Sequence, residues 1–253
     1  MNALKRISVT ILTKDSQKYI GECLKALGAF DEVLILDNGS RDRTLEIART
    51  FSNVRILEHP FIGFGPMKNL AAQKAKNDWI LSVDSDEVLT SELLKALERL
   101  ELKASDIVYA IDRLNHYRGR PIRCCGWYPD RVLRLYNRKA VAFNDALVHE
   151  SLKLPPHTRT KRLDGTLLHY PFDDVASLIE KMQRYSTLYA QTSSRSASPA
   201  KAFFRALFAF VKHYFFQRGF LCGYPGLLIS VSNANGVFYK YMKRYETLQE
   251  PGR

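Results

Sequence analysis

The chain has 253 residues, 46% of them apolar, and a formal net charge of +12. That size and apolar share suit one cored catalytic domain with an appendage and exclude a chain too polar to pack. Four cysteines, Cys23, Cys124, Cys125 and Cys222, show no C-x-x-C spacing, so they read as reduced core or loop thiols of a cytosolic protein rather than as a metal site.

Lys5-Arg6 followed by Ile7–Leu12 is too short an apolar run for a signal peptide and reads as the first strand, ending in Thr13-Lys14-Asp15. A helix is expected near Gln17–Ala29. A second strand, Val33–Asp37, runs into Asn38-Gly39-Ser40. Asn-Gly makes a tight turn easy, and Ser40 or Asp42 can cap a helix over Arg43–Phe51. Val54–Leu57 reads as a strand and Met67–Ala75 as a helix. The apolar run Trp79–Val83 reads as a buried strand that delivers Asp84 and Asp86 to a sheet edge. The next helix, Ser91–Leu100, carries Leu93, Leu94, Leu97 and Leu100 at core-facing spacing. Strand ends with polar residues, separated by helices, describe a nucleotide-binding α/β arrangement whose ligands sit at the carboxyl edge of the sheet.

Further on, Ile107–Ile111 and Val132–Tyr136 read as strands of an acceptor-binding half. Asn115–Asp130 reads as a long loop, a length that usually serves function. Thr166–Tyr170 reads as a last short strand, Asp173–Ser194 as a helix and Ser193–Pro199 as a hinge. The expected division is therefore a catalytic domain over 1–195 and a helical extension over 196–253.

Taken in order, Ile11–Asp15, Leu36–Thr44, Lys68-Asn69 and Trp79–Glu87 resemble glycosyltransferase family 2 over roughly residues 5 to 170. The later pieces Gly126–Leu135 and Val148-His149-Glu150 resemble its branch of bacterial lipopolysaccharide core β-1,4-glucosyltransferases. The resemblance implies the GT-A fold, a Rossmann-like mixed sheet flanked by helices. It also implies an inverting transfer from a nucleotide sugar, glucose from UDP-glucose in this branch, onto an inner-core heptose or similar lipid-linked acceptor.

Breaking the bond from the anomeric carbon to a diphosphate puts negative charge on the leaving oxygen, and a divalent cation stabilises it. Asp84 and Asp86 are the expected metal carboxylates, for Mg²⁺ or Mn²⁺, with Asp84 also reaching the donor and Glu87 standing behind them or merely solvated. Thr13, Lys14 and Asp37 are expected at the nucleoside and Lys68 at the diphosphate. The reaction needs a general base, and the family's usual Glu-Asp signature is absent. Glu150 is the first candidate and Asp130 the second. His149 is expected to orient a phosphate or ligate the metal. Trp127 and Tyr128 offer flat faces to a sugar, and Arg131 and Arg134 offer cations to acceptor phosphates.

From Lys181 to the end the chain carries eleven Lys or Arg against two Glu, nine of the twelve excess charges. At about 100° per residue, Phe203, Phe204, Leu207, Phe208, Phe210, Val211, Tyr214 and Phe215 share one helix face over Lys201–Arg218. Lys201, Arg205 and Lys212 lie opposite, with Phe216 among them. The segment is too short and charged to span a bilayer and suits the cytoplasmic surface of the inner membrane. Packing on the catalytic domain or in a dimer seam is the competing reading. Gly223–Gly226 reads as a turn, and Leu227–Tyr245 as a second helix ending in Lys240, Lys243 and Arg244, cations suited to anionic lipid. A polyprenyl-phosphate sugar transferase is the nearest alternative enzyme. A basic nucleic-acid-binding protein would suit the charge, but the chain lacks any such motif, so no nucleic-acid partner is expected.

Overall fold

The computed structural model describes residues 2–146 and 150–249. The strands are β1 (Ile7–Thr13), β2 (Glu32–Asp37), β3 (Val54–Glu58), β4 (Trp79–Asp84), β5 (Glu87–Leu89), β6 (Ile107–Tyr117), β7 (Arg120–Pro121), β8 (Asp130–Asn137), β9 (Ala142–Phe143), β10 (Leu152–Lys153) and β11 (Arg159–Phe172). The helices are α1 (Ile20–Ala26), α2 (Thr44–Ala48), α3 (Phe64–Lys74), α4 (Ser91–Glu98), α5 (Val175–Thr192), α6 (Pro199–Val211) and α7 (Gly223–Gln249). The chain forms two compact units, 1–113 with 131–169 and 114–130 with 170–253. Helix α5 groups with the C-terminal helices in the second unit.

The main sheet runs β3-β2-β1-β4-β8-β6-β11-β5, with β7 on β6. The first four strands are parallel; β8 joins β4 antiparallel, and β5 joins β11 antiparallel. This mixed α/β sheet flanked by helices is the GT-A arrangement. In the first unit, alternation along each strand sends side chains to opposite faces. Val33, Ile35, Leu81, Val83 and Tyr109 meet Leu24, Leu93 and Leu97 on one face. Leu34, Leu36, Ile80 and Val108 meet Met67, Ala71 and Ala72 of α3 on the other. Both faces are covered, which is why the central strands read as continuous apolar runs. The chain winds outward from β1 to β3 and then crosses to β4, so the sheet's topological switch point lies between the carboxyl ends of β1 and β4.

In the second unit, Tyr117, Ile122, Cys125, Leu178 and Ile229 form a separate core. A disulfide joins Cys124 to Cys222 across 98 residues, correcting the reading of four reduced thiols; Cys23 and Cys125 are free and buried. The expected loop over 115–130 starts as the end of β6, turns through Arg118-Gly119 into β7, and is irregular beyond. Helix α6 buries Ala202 and Ala209, not its phenylalanines. It passes at Lys212 into a π-helical turn through Phe216, and a 3₁₀ turn covers Gly219–Cys222. The expected turn at Gly223–Gly226 is the first turn of α7, where a proline at 225 costs no helical hydrogen bond. A Cβ on Gly226 would lie 1.9 Å from the Gly219 carbonyl oxygen, so glycine is required for that approach.

Candidate active site

Three loop ends meet at the switch point. Asp37 at the end of β2 is fully buried. Its Oδ1 accepts from the Thr13 and Ser40 hydroxyls, and its Oδ2 from the Gly39 and Ser40 amides at 2.9 Å each. Burial works against its ionisation, but the bonds from Ser40, Gly39 and Thr13 outweigh it and hold the carboxyl below its ordinary range. The carboxylate expected at the nucleoside is held in place by these protein donors, which shape the turn. Thr13 is buried with it, and Lys14 is exposed beside it. The Asp15 amide donates to Ser40 Oγ, the Gln17 amide to Asp42, and Ser16 Oγ lies 2.8 Å from Ser85 Oγ, which stitches the β1 and β2 loops to the Asp84–Asp86 turn.

Asp84 ends β4. Lys68 Nζ lies 3.2 Å from its Oδ1 and 2.8 Å from Glu150 Oε1. Arg134 Nη2 lies 2.6 Å from its Oδ2 and also pairs with Glu87. Burial raises the Asp84 pKa and these two cations lower it; the cations win, and the carboxyl sits well below its ordinary range. Arg134 is buried, a cost offset by Asp84 and Glu87, so it is firmly protonated. Glu87 is wholly buried, accepts the Asp84 amide at 2.9 Å and pairs with Arg113 at 3.1 Å, so it braces the turn rather than facing solvent. Helix α3 presents Lys68 because Gly65 lets the chain at 144–146 cross its first turn: a Cβ there would lie 1.8 Å from Asn144 O.

Lys68, expected at the diphosphate, bridges Asp84 and Glu150 and is buried. Arg134, expected at acceptor phosphates, points to Asp84 and Glu87. Asp86, half-buried, keeps Oδ2 3.4 Å from His169 Nε2, because register places His169 of β11 opposite Glu87 of β5. Sequence reasoning missed His169 and underused Arg134. The signals were there: a histidine after Leu167-Leu168 and an arginine inside an apolar strand each need a buried partner. Among the described residues no three metal-ligating side chains converge. Asp86 with His169 suits a cation that completes its shell from a diphosphate and water, while Asp84 has both oxygens engaged by protein cations.

The expected acceptor residues divide between the units. Arg131 pairs with buried Asp112 at 3.2 Å. In the second unit, Asp130 Oδ2 accepts from Asn115 at 3.1 Å. Trp127 packs against Phe172 with ring centroids 5.4 Å apart, and Tyr128 carries Arg123 over its ring at 4.8 Å. His149 lies outside the described residues.

The sheet crosses over beside β4 and brings Asp84, Asp86 and a buried carboxylate–cation network to that edge, and the family model for glycosyl transferase family 2 matches residues 8–142. The chain belongs to glycosyl transferase family 2. It is similar to an uncharacterized glycosyltransferase of Rickettsia typhi, 27% identical over 96% of this chain and 88% of that one. It is also similar to the lipopolysaccharide core biosynthesis glycosyltransferase LpsC of Rhizobium meliloti, 26% identical over 95% of this chain and 92% of that one. Among solved structures, that of Staphylococcus aureus TarS residues 1–349 in complex with UDP-GlcNAc aligns at a TM-score of 0.46 and 17% identity, over 96% of this chain and 90% of that one. No described helix of this glycosyltransferase is long and apolar enough to cross a membrane.

Proposed function

We propose that this glycosyltransferase moves glucose from UDP-glucose, with inversion, onto the inner-core heptose of lipopolysaccharide or a similar anionic, lipid-linked saccharide at the inner face of the cytoplasmic membrane. The observation that carries the reading is the Asp84–Lys68–Glu150 cluster at the switch point. Similarity to LpsC supports the acceptor class.

Glu150 takes the proton of the acceptor hydroxyl as that oxygen attacks the anomeric carbon; the carbon–oxygen bond to the diphosphate breaks, and its electron pair leaves with the phosphate. Lys68, bonded to both carboxylates, fixes Glu150 relative to the Asp84–Asp86 turn. Asp86 and His169 are the residues that would hold Mg²⁺ or Mn²⁺, which supplies positive charge to the leaving diphosphate. Thr13 and Lys14 flank the nucleoside site. Trp127, Tyr128 and Arg131 serve the acceptor, and Asp130 is the second candidate for the base.

The membrane reading rests on the second unit. Phe203, Phe204, Leu207, Phe208, Phe215 and Phe216 are all more than half exposed, next to exposed Arg205, Lys212 and Arg218. This pairing suits insertion at an anionic interface. Lys243 and Arg244, also expected at lipid, instead bond Ser186, Thr187 and the Ala190 carbonyl.

The test is transfer from a panel of UDP- and GDP-sugars to a delipidated core saccharide, with Mg²⁺, Mn²⁺ or EDTA. UDP-glucose turnover abolished by EDTA is expected. Preference for another nucleotide sugar, or full activity in EDTA, would overturn the corresponding part of the reading.

A further inference from the structure

A cleft of about 380 Å³ in the second unit is lined by Tyr117, Arg118, Arg120, Tyr224 and Pro225. It lies outside the catalytic cluster, and nothing in the reaction above uses it. Its walls come from two segments. One is the hairpin between β6 and β7, where Tyr117 pairs with Arg120. Arg118 and Gly119 both have positive φ, 52° and 73°, the signature of a tight two-residue turn. The other is the start of α7. The Cys124–Cys222 disulfide ties the two together, joining a residue four beyond Arg120 to one two before Tyr224.

The lining has the chemistry of an anion site with an apolar rim. Arg118 and Arg120 are exposed, and no ion pair engages either guanidinium among the described residues. The Tyr117 hydroxyl, in a side chain 1% exposed, is paired with the Tyr224 phenol, and both tyrosines line the cleft. Asp174, the acid within reach, spends Oδ1 on the Ser177 amide at the start of α5. Two guanidiniums and a phenol fit phosphate oxygens, and the tyrosine and proline walls fit the small polyol that carries the phosphate. The volume falls within the range of small-ligand sites. Tyr224 is 58% exposed and stands in sequence beside exposed Phe220, Leu221 and Leu227, close in sequence to Phe215, Phe216 and Arg218 of the proposed membrane surface.

We propose that this cleft binds a phosphate monoester, presented by a lipid headgroup at the membrane surface. The lipid source rests on the membrane reading; the phosphate chemistry of the cleft does not.

The experiment compares the wild-type chain with Arg118→Gln/Arg120→Gln in two arms. The first is co-sedimentation with phosphatidylcholine vesicles that contain phosphatidic acid or phosphatidylglycerol at matched surface charge. The second is titration with glycerol 3-phosphate in solution. Wild type should favour the phosphatidic acid vesicles. The double variant should lose at most about 30-fold on phosphatidylglycerol, the effect of two basic residues at any anionic surface, and clearly more than that on phosphatidic acid. Wild-type titration by glycerol 3-phosphate that the variant lacks, without vesicle binding by either protein, would support the cleft and overturn its lipid source and the membrane reading together. Indistinguishable wild type and variant in both arms would overturn the cleft, whatever the vesicles show. Circular dichroism and the wild-type rate on a soluble acceptor establish that the variant is folded.

Discussion

Lys68 and Arg205 are both long cations on helices, and the two units treat them in opposite ways. Lys68 is 5% exposed and touches two carboxylates; Arg205 is exposed beside Phe203, Phe204 and Phe208, each 57% exposed or more. In the catalytic unit a buried charge stays only where a partner compensates it. Removing one member therefore damages all of them. Along α6 the phenylalanines and Arg205 face outward, so their loss should cost the fold little. On the function proposed, the first pattern holds geometry for a reaction and the second meets a partner surface.

The largest expected effect breaks the first pattern. Arg134→Met leaves Asp84 and Glu87 without their shared cation and should cost about 3–5 kcal/mol of stability, read as a lower urea midpoint at constant slope. An unchanged midpoint would show that the network is not under this electrostatic constraint. Asp86→Ala should slow transfer by roughly 10²–10³-fold with the melting temperature kept, and should weaken Mn²⁺-dependent donor binding; wild-type rates would remove Asp86 from the cation site. On the other side of the comparison, Phe204→Ser/Phe208→Ser/Phe215→Ser should release the protein from anionic vesicles while stability moves by less than about 0.5 kcal/mol per site, as for surface positions. Unfolding instead would mean that this face packs rather than waits.

The smallest effect concerns pH. The Asp84 carboxyl is depressed in the folded state, so its contribution is complete above the unfolded carboxylate value near 4 and lost as pH falls through the folded value. Wild-type stability should therefore keep this contribution from pH 7 to 5 and lose it only below about pH 4. In Arg134→Met burial of Asp84 is less well opposed, so the gap between the two proteins should be widest at neutral pH and narrow as the variant's Asp84 takes up a proton; a gap that does not narrow on acidification would implicate another group.

The strands of the first unit were legible because two covered sheet faces make continuous apolar runs: Trp79–Asp84 and Val54–Leu57 fall on β4 and β3 with ends shared or one residue apart. Asp84, Lys68 and Glu150 were singled out from motif order. Their mutual geometry was not. Lys68 and Glu150 are 82 positions apart in sequence, and only the crossing at Gly65 makes them neighbours. His169 was hidden because its role depends on the register of β11 against β5, which no local pattern encodes. The disulfide was hidden for the same reason, since its cysteines carry no spacing signal. In α6, Phe203, Phe204, Leu207 and Phe208, which helical periodicity put on one face, are all exposed. Regular periodicity does not carry on to Phe216, because the π-helical turn from Lys212 changes the angle per residue.

The central claim, that the Lys68-held Glu150 is the base of the transfer, is tested most directly by single-turnover glucose transfer with Glu150→Gln alongside donor-binding calorimetry. Asp130→Asn serves as the comparison. The account predicts that Glu150→Gln binds UDP-glucose with near wild-type affinity and loses transfer by roughly 10²–10⁴-fold, while Asp130→Asn turns over normally. Normal turnover by Glu150→Gln together with a dead Asp130→Asn would contradict it and move the base to Asp130.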